Sequence, residues 1–327
     1  MSARDDLLMS IATAIRDYRS GAIAPPSPEH VDRWVKQFEN EVQLPILTEL
    51  NYILGHTYIN RETVTKFLTS LIINAKLVGA EPCDFWRGVN FLNIQGGGNS
   101  QREMLAIFDL FLQQHCGFRV LDCGKDATTF VYIDDAVFTG SRVLRDISSW
   151  IQTTAPTKAH VHIITIAYHR GGQHYAEGKI AAAAAAAGKQ VTLSWWRCVE
   201  LEDRRFYINS SDVLRPRSLG ADPLVAAYAQ GLKYQPTFRT ADSIGEHNFF
   251  SSENGRALLE QEFLKAGAKI RDMCPLLGKY QRPLGNMVLE TLGFGSTIIT
   301  FRNCPNNAPL AFWAGDPWYP LFPRVNN

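Results

Sequence analysis

The chain has almost no excess of charge. Its 33 lysines and arginines stand against 32 aspartates and glutamates, a formal net charge of +1. That balance gives no global field to draw it to nucleic acid or to an anionic membrane, although a local patch stays open. It has no long hydrophobic run either: the longest monotonous tract, Ala181 to Ala187, is too short and too weakly apolar to cross a bilayer. Met1 to Arg16 carries Arg4, Asp5 and Asp6 and lacks the uninterrupted apolar stretch of a signal peptide, so a cytoplasmic location is expected, with no membrane partner. Cysteine is sparse. Cys83, Cys116, Cys123, Cys198, Cys274 and Cys304 are scattered without a Cys-x-x-Cys pair, which argues against a disulfide framework and against a zinc site. Buried free thiols are the expectation. No internal repeat is visible.

What is there is an ordinary globular composition, 46% hydrophobic and 20% charged over 327 residues. Such a chain can bury a sizeable core as one elaborated domain or two small ones. Its first third reads as helical. Residues 3–18 form one candidate helix, and prolines Pro25, Pro26 and Pro28 then break the pattern. Ser27 can cap a helix over Glu29–Glu41 with Pro28 at its first position. Trp34, Val35 and Phe38 fall on one face of it, as a core stripe. Further helices are predicted over Leu44–Leu54 and Arg61–Leu77.

From Phe85 the pattern alternates. Strands are predicted at Val89–Ile94, Phe118–Asp122, Thr128–Ile133, His160–Tyr168 and Val191–Trp195. Helices are predicted at Gln101–Gln114, Val143–Trp150 and Tyr175–Ala187, the last stopped by Gly188. This alternation implies a mostly parallel sheet with right-handed crossovers. The alanine run would let its helix lie close to the sheet. Beyond Arg197 the regularity fades, with helices near Leu224–Gln230 and Glu253–Ala266, a strand at Thr297–Phe301 and a long ordered loop. Three regions follow: residues 1–84, helical; 85–200, the α/β core; and 201–327, a C-terminal α+β extension.

The stretch Phe130 to Arg142 carries the most chemistry. An apolar strand runs into Asp134 and Asp135, then a tight turn through Thr139, Gly140 and Ser141 opens a helix. Such a turn aims free N–H groups at one spot, which suits a phosphate. Carboxylates at a strand's C-terminal end lie where open α/β sheets bind ligands, and they can accept from ribose hydroxyls or hold Mg²⁺ through water. The competing reading is two solvated aspartates before an ordinary helix cap. A second loop, Gly96 to Ser100, also opens a helix, and its glycines let the backbone approach a ligand; a plain tight turn is the alternative. Arg142 can reach a phosphate, fill the pocket, or point outward.

The Asp134-Asp135 and Thr139-Gly140 pattern resembles the ribose-phosphate loop of type I phosphoribosyltransferases. It departs at Phe138, where a small residue is usual, and at Arg142, where the usual ending has a hydroxyl. The chain from about residue 30 to 324 further resembles a phosphoribosyltransferase-like family of bacterial conflict systems, through Trp34 to Phe38, Arg256 with Glu260, Arg282 to Gly285, Gly293 to Gly295, Phe301 to Leu310 and Trp313 to Phe322.

The resemblance implies a type I phosphoribosyltransferase-like parallel sheet flanked by helices, and a phosphoribosyl pyrophosphate or nucleotide ligand with Mg²⁺ as cofactor. It implies that Asp134 and Asp135 hold the ribose hydroxyls and the Mg²⁺. Thr139, Gly140 and Ser141 would hold the 5′-phosphate, with Arg142 able to replace the missing hydroxyl by a charge-assisted hydrogen bond, and Gly97, Gly98, Asn99 and Ser100 would receive the pyrophosphate. It also implies a toxic effector of anti-phage systems, some of them retrons, with a reverse transcriptase and noncoding RNA, or another defence-system protein, as partner. His169 and Arg170 could touch a base or pyrophosphate, a solvated loop being the commoner fate. The short span between His115 and Thr128 leaves little room for the mobile flap of many transferases, which favours hydrolysis, a different nucleotide substrate, or sensing without turnover. Three functions stay open: a glycosyl-transfer or hydrolysis enzyme, a non-catalytic sensor of a phosphorylated ribose, and an interaction protein without ligand.

Overall fold

The computed structural model describes residues 2–124 and 128–324. Its first helix, α1 (Ala3–Ala14), starts on a reciprocal cap in which Ser2 Oγ accepts from Asp5 N and the Asp5 carboxylate accepts from Ser2 N. α2 (Pro28–Val35) begins as its sequence predicts, with Ser27 Oγ accepting from His30 N and Pro28 in the first turn. It ends earlier than expected, and α3 (Asn40–Thr57) begins earlier, with Pro45 inside it. Strand β1 (Tyr58–Ile59) follows. The single helix predicted over Arg61–Leu77 is two, α4 (Arg61–Ile72) and α5 (Ala75–Val78), because Asn74 caps the second through Lys76 N.

Next come α6 (Pro82–Gly88), β2 (Asn90–Phe91) and α7 (Ser100–Cys116). The strand predicted at Phe118–Asp122 is instead a 3₁₀ turn, Val120–Asp122. Side chains take the backbone groups that a ladder would need: Asp109 accepts from Val120 N, and Asp122 accepts from Arg119 N. β3 (Thr129–Val137), α8 (Ser141–Thr153), β4 (Lys158–His169), α9 (Arg170–Ala186) and β5 (Gln190–Leu201) then alternate. β5 carries regular structure past Arg197, where the sequence pattern fades. The chain finishes with α10 (Pro223–Gln230), α11 (Glu253–Met273), β6 (Ile299–Thr300) and α12 (Leu310–Trp313).

The elements form two compact units, one running from Glu62 to Leu201 and the other joining the segment up to Arg61 with the segment from Glu202 onward. The first unit is an α/β layer structure. Its sheet has the order β2-β3-β4-β5 with every neighbouring pair parallel. Parallel neighbours need crossovers, and α7, α8 and α9 supply them. Phe130, Tyr132, Val161 and Ile163 share one sheet face and pack with Val143, Ile147 and Trp150 of α8 and with Ala176, Ile180 and Ala184 of α9. Within the alanine run the buried residue is Ala184. Contact with the sheet is made at four-residue spacing, and most of the run faces outward.

The same unit corrects the expectation for cysteine. Cys83 at α6 and Cys116 at the end of α7 form a disulfide with Cα atoms 5.4 Å apart. Of the free thiols Cys304 is buried, whereas Cys198 is exposed. Scattered sequence spacing hid a pair that the α6–α7 packing brings together.

The second unit is built on aromatic packing. Trp34 is fully buried among Phe38, Phe263 and Phe312, and its indole N–H donates to the Ala311 carbonyl at 2.8 Å. Trp34 and Phe38 are therefore core. β1 and β6 pair in parallel. Arg256 and Glu260, one turn apart on α11, form a fully buried ion pair at 2.8 Å, and Arg239 closes on the other Glu260 oxygen. No helix among the described residues is long and apolar enough to cross a membrane.

Candidate functional site

Because the sheet is parallel, the C-terminal ends of β2, β3 and β4 lie along one edge, and α7, α8 and α9 begin there. Each helix start leaves backbone N–H groups without intrahelical partners and places partial positive charge at that edge. The turn into α8 passes through Gly140, whose φ of +75° favours glycine. Gly140 and Gly172 of α9 lie in mutual contact: a Cβ on Gly140 would stand 2.1 Å from the Gly172 carbonyl oxygen. Thr139 Oγ1 donates to Ser141 Oγ at 3.1 Å within the turn.

The acidic pair does not end the strand, which is where the sequence places it. β3 runs on to Val137, so both acids lie inside the strand and not at its end. Successive residues of a strand point to opposite faces. Asp134 is 3% exposed. Its Oδ1 accepts from Asp135 N at 2.9 Å, and its Oδ2 lies 3.2 Å from Gln95 Nε2 and 3.3 Å from the Tyr132 hydroxyl. That hydroxyl also reaches Asp146 Oδ2 of α8 at 3.0 Å. A phenol has one proton, so it can donate to only one of the two carboxyl groups at a time. Burial, then the charge of Asp135, push the Asp134 carboxyl up to about 7 against the pull of Ser100, Asp135 N and Arg142. Asp135 is half-buried, with Oδ1 accepting from Ala136 N at 2.7 Å.

The glycine loop is tied to this acid. Gln95 donates to Asp134 and, at 3.1 Å, to Ser100 Oγ, while its Oε1 accepts from Gln101 N at 3.2 Å. Gln101, fully buried, returns the clasp by accepting from Ile94 N and Gln95 N at 2.8 and 2.9 Å. Asn99 donates to Glu103 along α7. Gly98 has φ +82°, and its Cβ position would fall 2.7 Å from Arg142 Nη1. Gly96 and Gly97 have neither a positive φ nor a neighbour that a Cβ would strike. Nothing within the described protein requires glycine at those two positions. Arg142 Nη1 donates to the Gly97 carbonyl at 3.0 Å and so joins the first turn of α8 to the glycine loop.

All ten residues singled out from the sequence thus lie in one compact unit, around the starts of α7 and α8 and the second half of β3. Four contributors were missed: Gln95, Tyr132, Asp146 and Gly172. Tyr132 had a signal, since it stands two residues before Asp134 on the same strand face. Asp146 had one too, being a helical turn after Arg142. His169 and Arg170 are not a solvated loop. His169 ends β4 fully buried, with the Phe138 ring 5.1 Å away, and Arg170 opens α9 on an ion pair with Glu200 at 2.8 Å.

The donor set offers a cation little by itself. Among the described residues no group of three or more His, Cys, Asp or Glu is placed to hold a metal ion. Both Asp134 oxygens already accept hydrogen bonds. Mg²⁺ commonly takes one or two carboxylates and completes its shell with water and substrate phosphates. Asp135, half-buried and accepting from Ala136 N through Oδ1, would supply such a carboxylate.

The site thus gathers two helix starts, a glycine loop and a buried acid at the C-terminal edge of a parallel sheet, the edge at which open α/β sheets bind ligands. The family model PRTase-CE matches residues 31–324, and the chain belongs to this phosphoribosyltransferase-like family. Neither the curated proteins nor the solved structures gave a match.

Proposed function

We propose that the chain binds a phosphorylated ribose, as phosphoribosyl pyrophosphate or a nucleotide, and acts on its anomeric carbon by glycosyl transfer or hydrolysis, on a core of the type I phosphoribosyltransferase kind. One observation carries the reading: Arg142 and Gln95 tie the glycine loop, the turn into α8 and Asp134 into one cluster. Thr139, Gly140, Ser141 and Arg142 hold the 5′-phosphate on the free N–H groups of α8. Gly97, Gly98, Asn99 and Ser100 receive the pyrophosphate, or the base end of a nucleotide. Gly96 and Gly97 then need to be glycine because a ligand approaches them.

In the reaction the bond from the anomeric carbon to its leaving group breaks, and the leaving group keeps the electron pair. Positive charge develops on the ribose ring, and an acceptor nitrogen or a water oxygen forms the new bond. Asp135 holds ribose hydroxyls. Asp134, in its ionised form, stabilises that charge. Mg²⁺ would be held by Asp135, with water and the ligand's phosphates completing its shell, and it would neutralise charge on the leaving group.

From the family resemblance, the setting we propose is a toxic effector of an anti-phage system, with a reverse transcriptase and noncoding RNA, or another defence protein, as partner. A second reading, a sensor of a phosphorylated ribose that switches a partner without turnover, is favoured by the burial of Asp134 with both oxygens already taken.

Calorimetry with phosphoribosyl pyrophosphate, with mass spectrometry of the mixture and of cells expressing the chain, tests these readings. Binding with a new ribosyl product, lost in Asp134→Asn/Asp135→Asn with the fold intact, supports the enzyme. Binding without product supports the sensor. No binding of any phosphorylated ribose overturns both.

A further inference from the structure

The contact between Arg142 and Gly97 spans the two loops and needs its own account. Arg142 is exposed in the first turn of α8, and among the described residues its guanidinium hydrogen-bonds the Gly97 carbonyl and forms no ion pair. A carbonyl is a neutral acceptor. A phosphate brings a full negative charge to the guanidinium, and arginine's fork can give it two parallel hydrogen bonds at once, where the carbonyl takes one. The present partner of Arg142 is thus one that an arriving phosphate outcompetes.

The glycine loop is held by few other contacts at this point. Gly96 and Gly97 have open space on their Cβ side. Gly98 lies beside the latch: its φ of +82° favours glycine, and a Cβ there would stand 2.7 Å from Arg142 Nη1 and push the end of that side chain off its present position. Behind the loop, Gln95 and Gln101 fix its ends, so freedom gained at Gly97 is confined to Gly96–Asn99.

We propose that Arg142 is a ligand-released latch: it holds the glycine loop on the Gly97 carbonyl in the empty protein, and a phosphate in the turn at Thr139–Ser141 draws it away and frees that loop for a second anion. This rests on the phosphate reading of that turn. The consequence is coupling. A phosphate at α8 lowers the cost of reshaping the glycine loop, and by linkage an anion in the glycine loop strengthens phosphate binding at α8. The latch selects ligands that carry two separated anionic groups over those with one.

Amide hydrogen exchange on the full chain, followed separately over residues 96–100 and 140–143 with and without inorganic phosphate, tests this. Without phosphate, Arg142→Ala and Gly98→Ala should each speed exchange at 96–100 about tenfold, as loss of one such hydrogen bond implies. Saturating phosphate should protect 140–143 in the wild type and raise its exchange at 96–100 to the level of Arg142→Ala. In Arg142→Ala it should leave 96–100 unchanged. If neither variant speeds exchange at 96–100, there is no latch. If phosphate protects 140–143 but leaves wild-type 96–100 unchanged, the release is wrong while the phosphate site stands. If phosphate protects nothing at 140–143, the phosphate reading of that turn fails and the release fails with it.

Discussion

Gly172 of α9 lies against the Phe138 carbonyl so closely that a Cβ on it would stand 1.9 Å from that oxygen. The oxygen belongs to the backbone that leads into Thr139 and Gly140, so it cannot move aside as a flexible side chain would. α9 thereby sets the position of the turn assigned to phosphate. Gly172→Ala should cost about 1–3 kcal/mol of stability, the range for overpacking. It should also weaken phosphate binding at the turn, because the turn itself must shift. Urea unfolding and phosphate calorimetry on the one variant check both effects. A full-strength phosphate site in a destabilised variant would show that α9 does not position the turn.

The Asp134 carboxyl makes stability depend on pH. It is raised from 3.8 to about 7 in the folded chain, first by burial and then by Asp135. Between those two values the folded state keeps a proton that the unfolded chain has released. Stability from this group is therefore fully present below about pH 4, falls as pH rises toward 7, and is level above. A shift of this size corresponds to about 4 kcal/mol. Asp134→Asn keeps the shape and does not titrate. The stability gap between variant and wild type should move in the variant's favour from pH 4 to pH 8. A gap that stays constant across that range would mean that Asp134 is ionised in the folded protein.

How much of this was open to reading from the sequence depends on how local the physics is. The start of α2 was legible because Ser27 and Pro28 act on residues beside them. The alternation of β3, α8, β4, α9 and β5 was legible because each element carries its own apolar period. The fate of the acidic pair was not. Two polar residues after an apolar run read as a strand end, yet parallel pairing of Ala136 with Ala167 and Val137 with Tyr168 continues the ladder past them. Extension by those residues separates the acids onto opposite faces. Contacts distant in sequence were equally hidden: Arg142 reaches Gly97 across 45 positions, and Gln95 reaches Asp134 across 39. The glycines at 140 and 98 were visible as glycines, but their reasons, a facing backbone at Gly172 and a facing guanidinium at Arg142, lie on other elements.

Cys83 and Cys116 close a loop with a sequence separation of 33. By the chain-entropy account such a closure contributes about 4 kcal/mol. Protein prepared without reductant and then denatured should expose four reactive thiols of the six cysteines present, matching the four free ones. Cys83→Ser should lower stability by about 2–4 kcal/mol relative to the oxidised protein and change little relative to the reduced one. Six reactive thiols under non-reducing conditions would mean that the pair stands as a dithiol, which is the state a reducing compartment such as the cytoplasm maintains.

The buried charges of α11 are a separate matter from the site. Glu260 accepts from Arg256 Nε and Arg239 Nη2, each at 2.8 Å, and also from Arg215 N at 2.8 Å. Arg256 spends its remaining donors on the Ser243 and Val213 carbonyls and Ser211 Oγ. With its donors used in this way Arg256 is a fixture that ties the segment around Ser211, Val213 and Ser243 to α11. Removing one partner leaves uncompensated charge in a dry interior. Glu260→Gln, which leaves the buried Arg256 without its carboxylate while Arg239 keeps Glu253 at 3.1 Å, should cost about 3–5 kcal/mol. Arg256→Met should cost a similar amount by taking one of two guanidinium partners from Glu260 and leaving the Ser243 and Val213 carbonyls without this donor. Because the residues share one network, the double variant should lose less than the sum. Urea unfolding of the two single variants and the double variant measures this directly, and strict additivity would mean that Arg256 and Glu260 do not act as a pair.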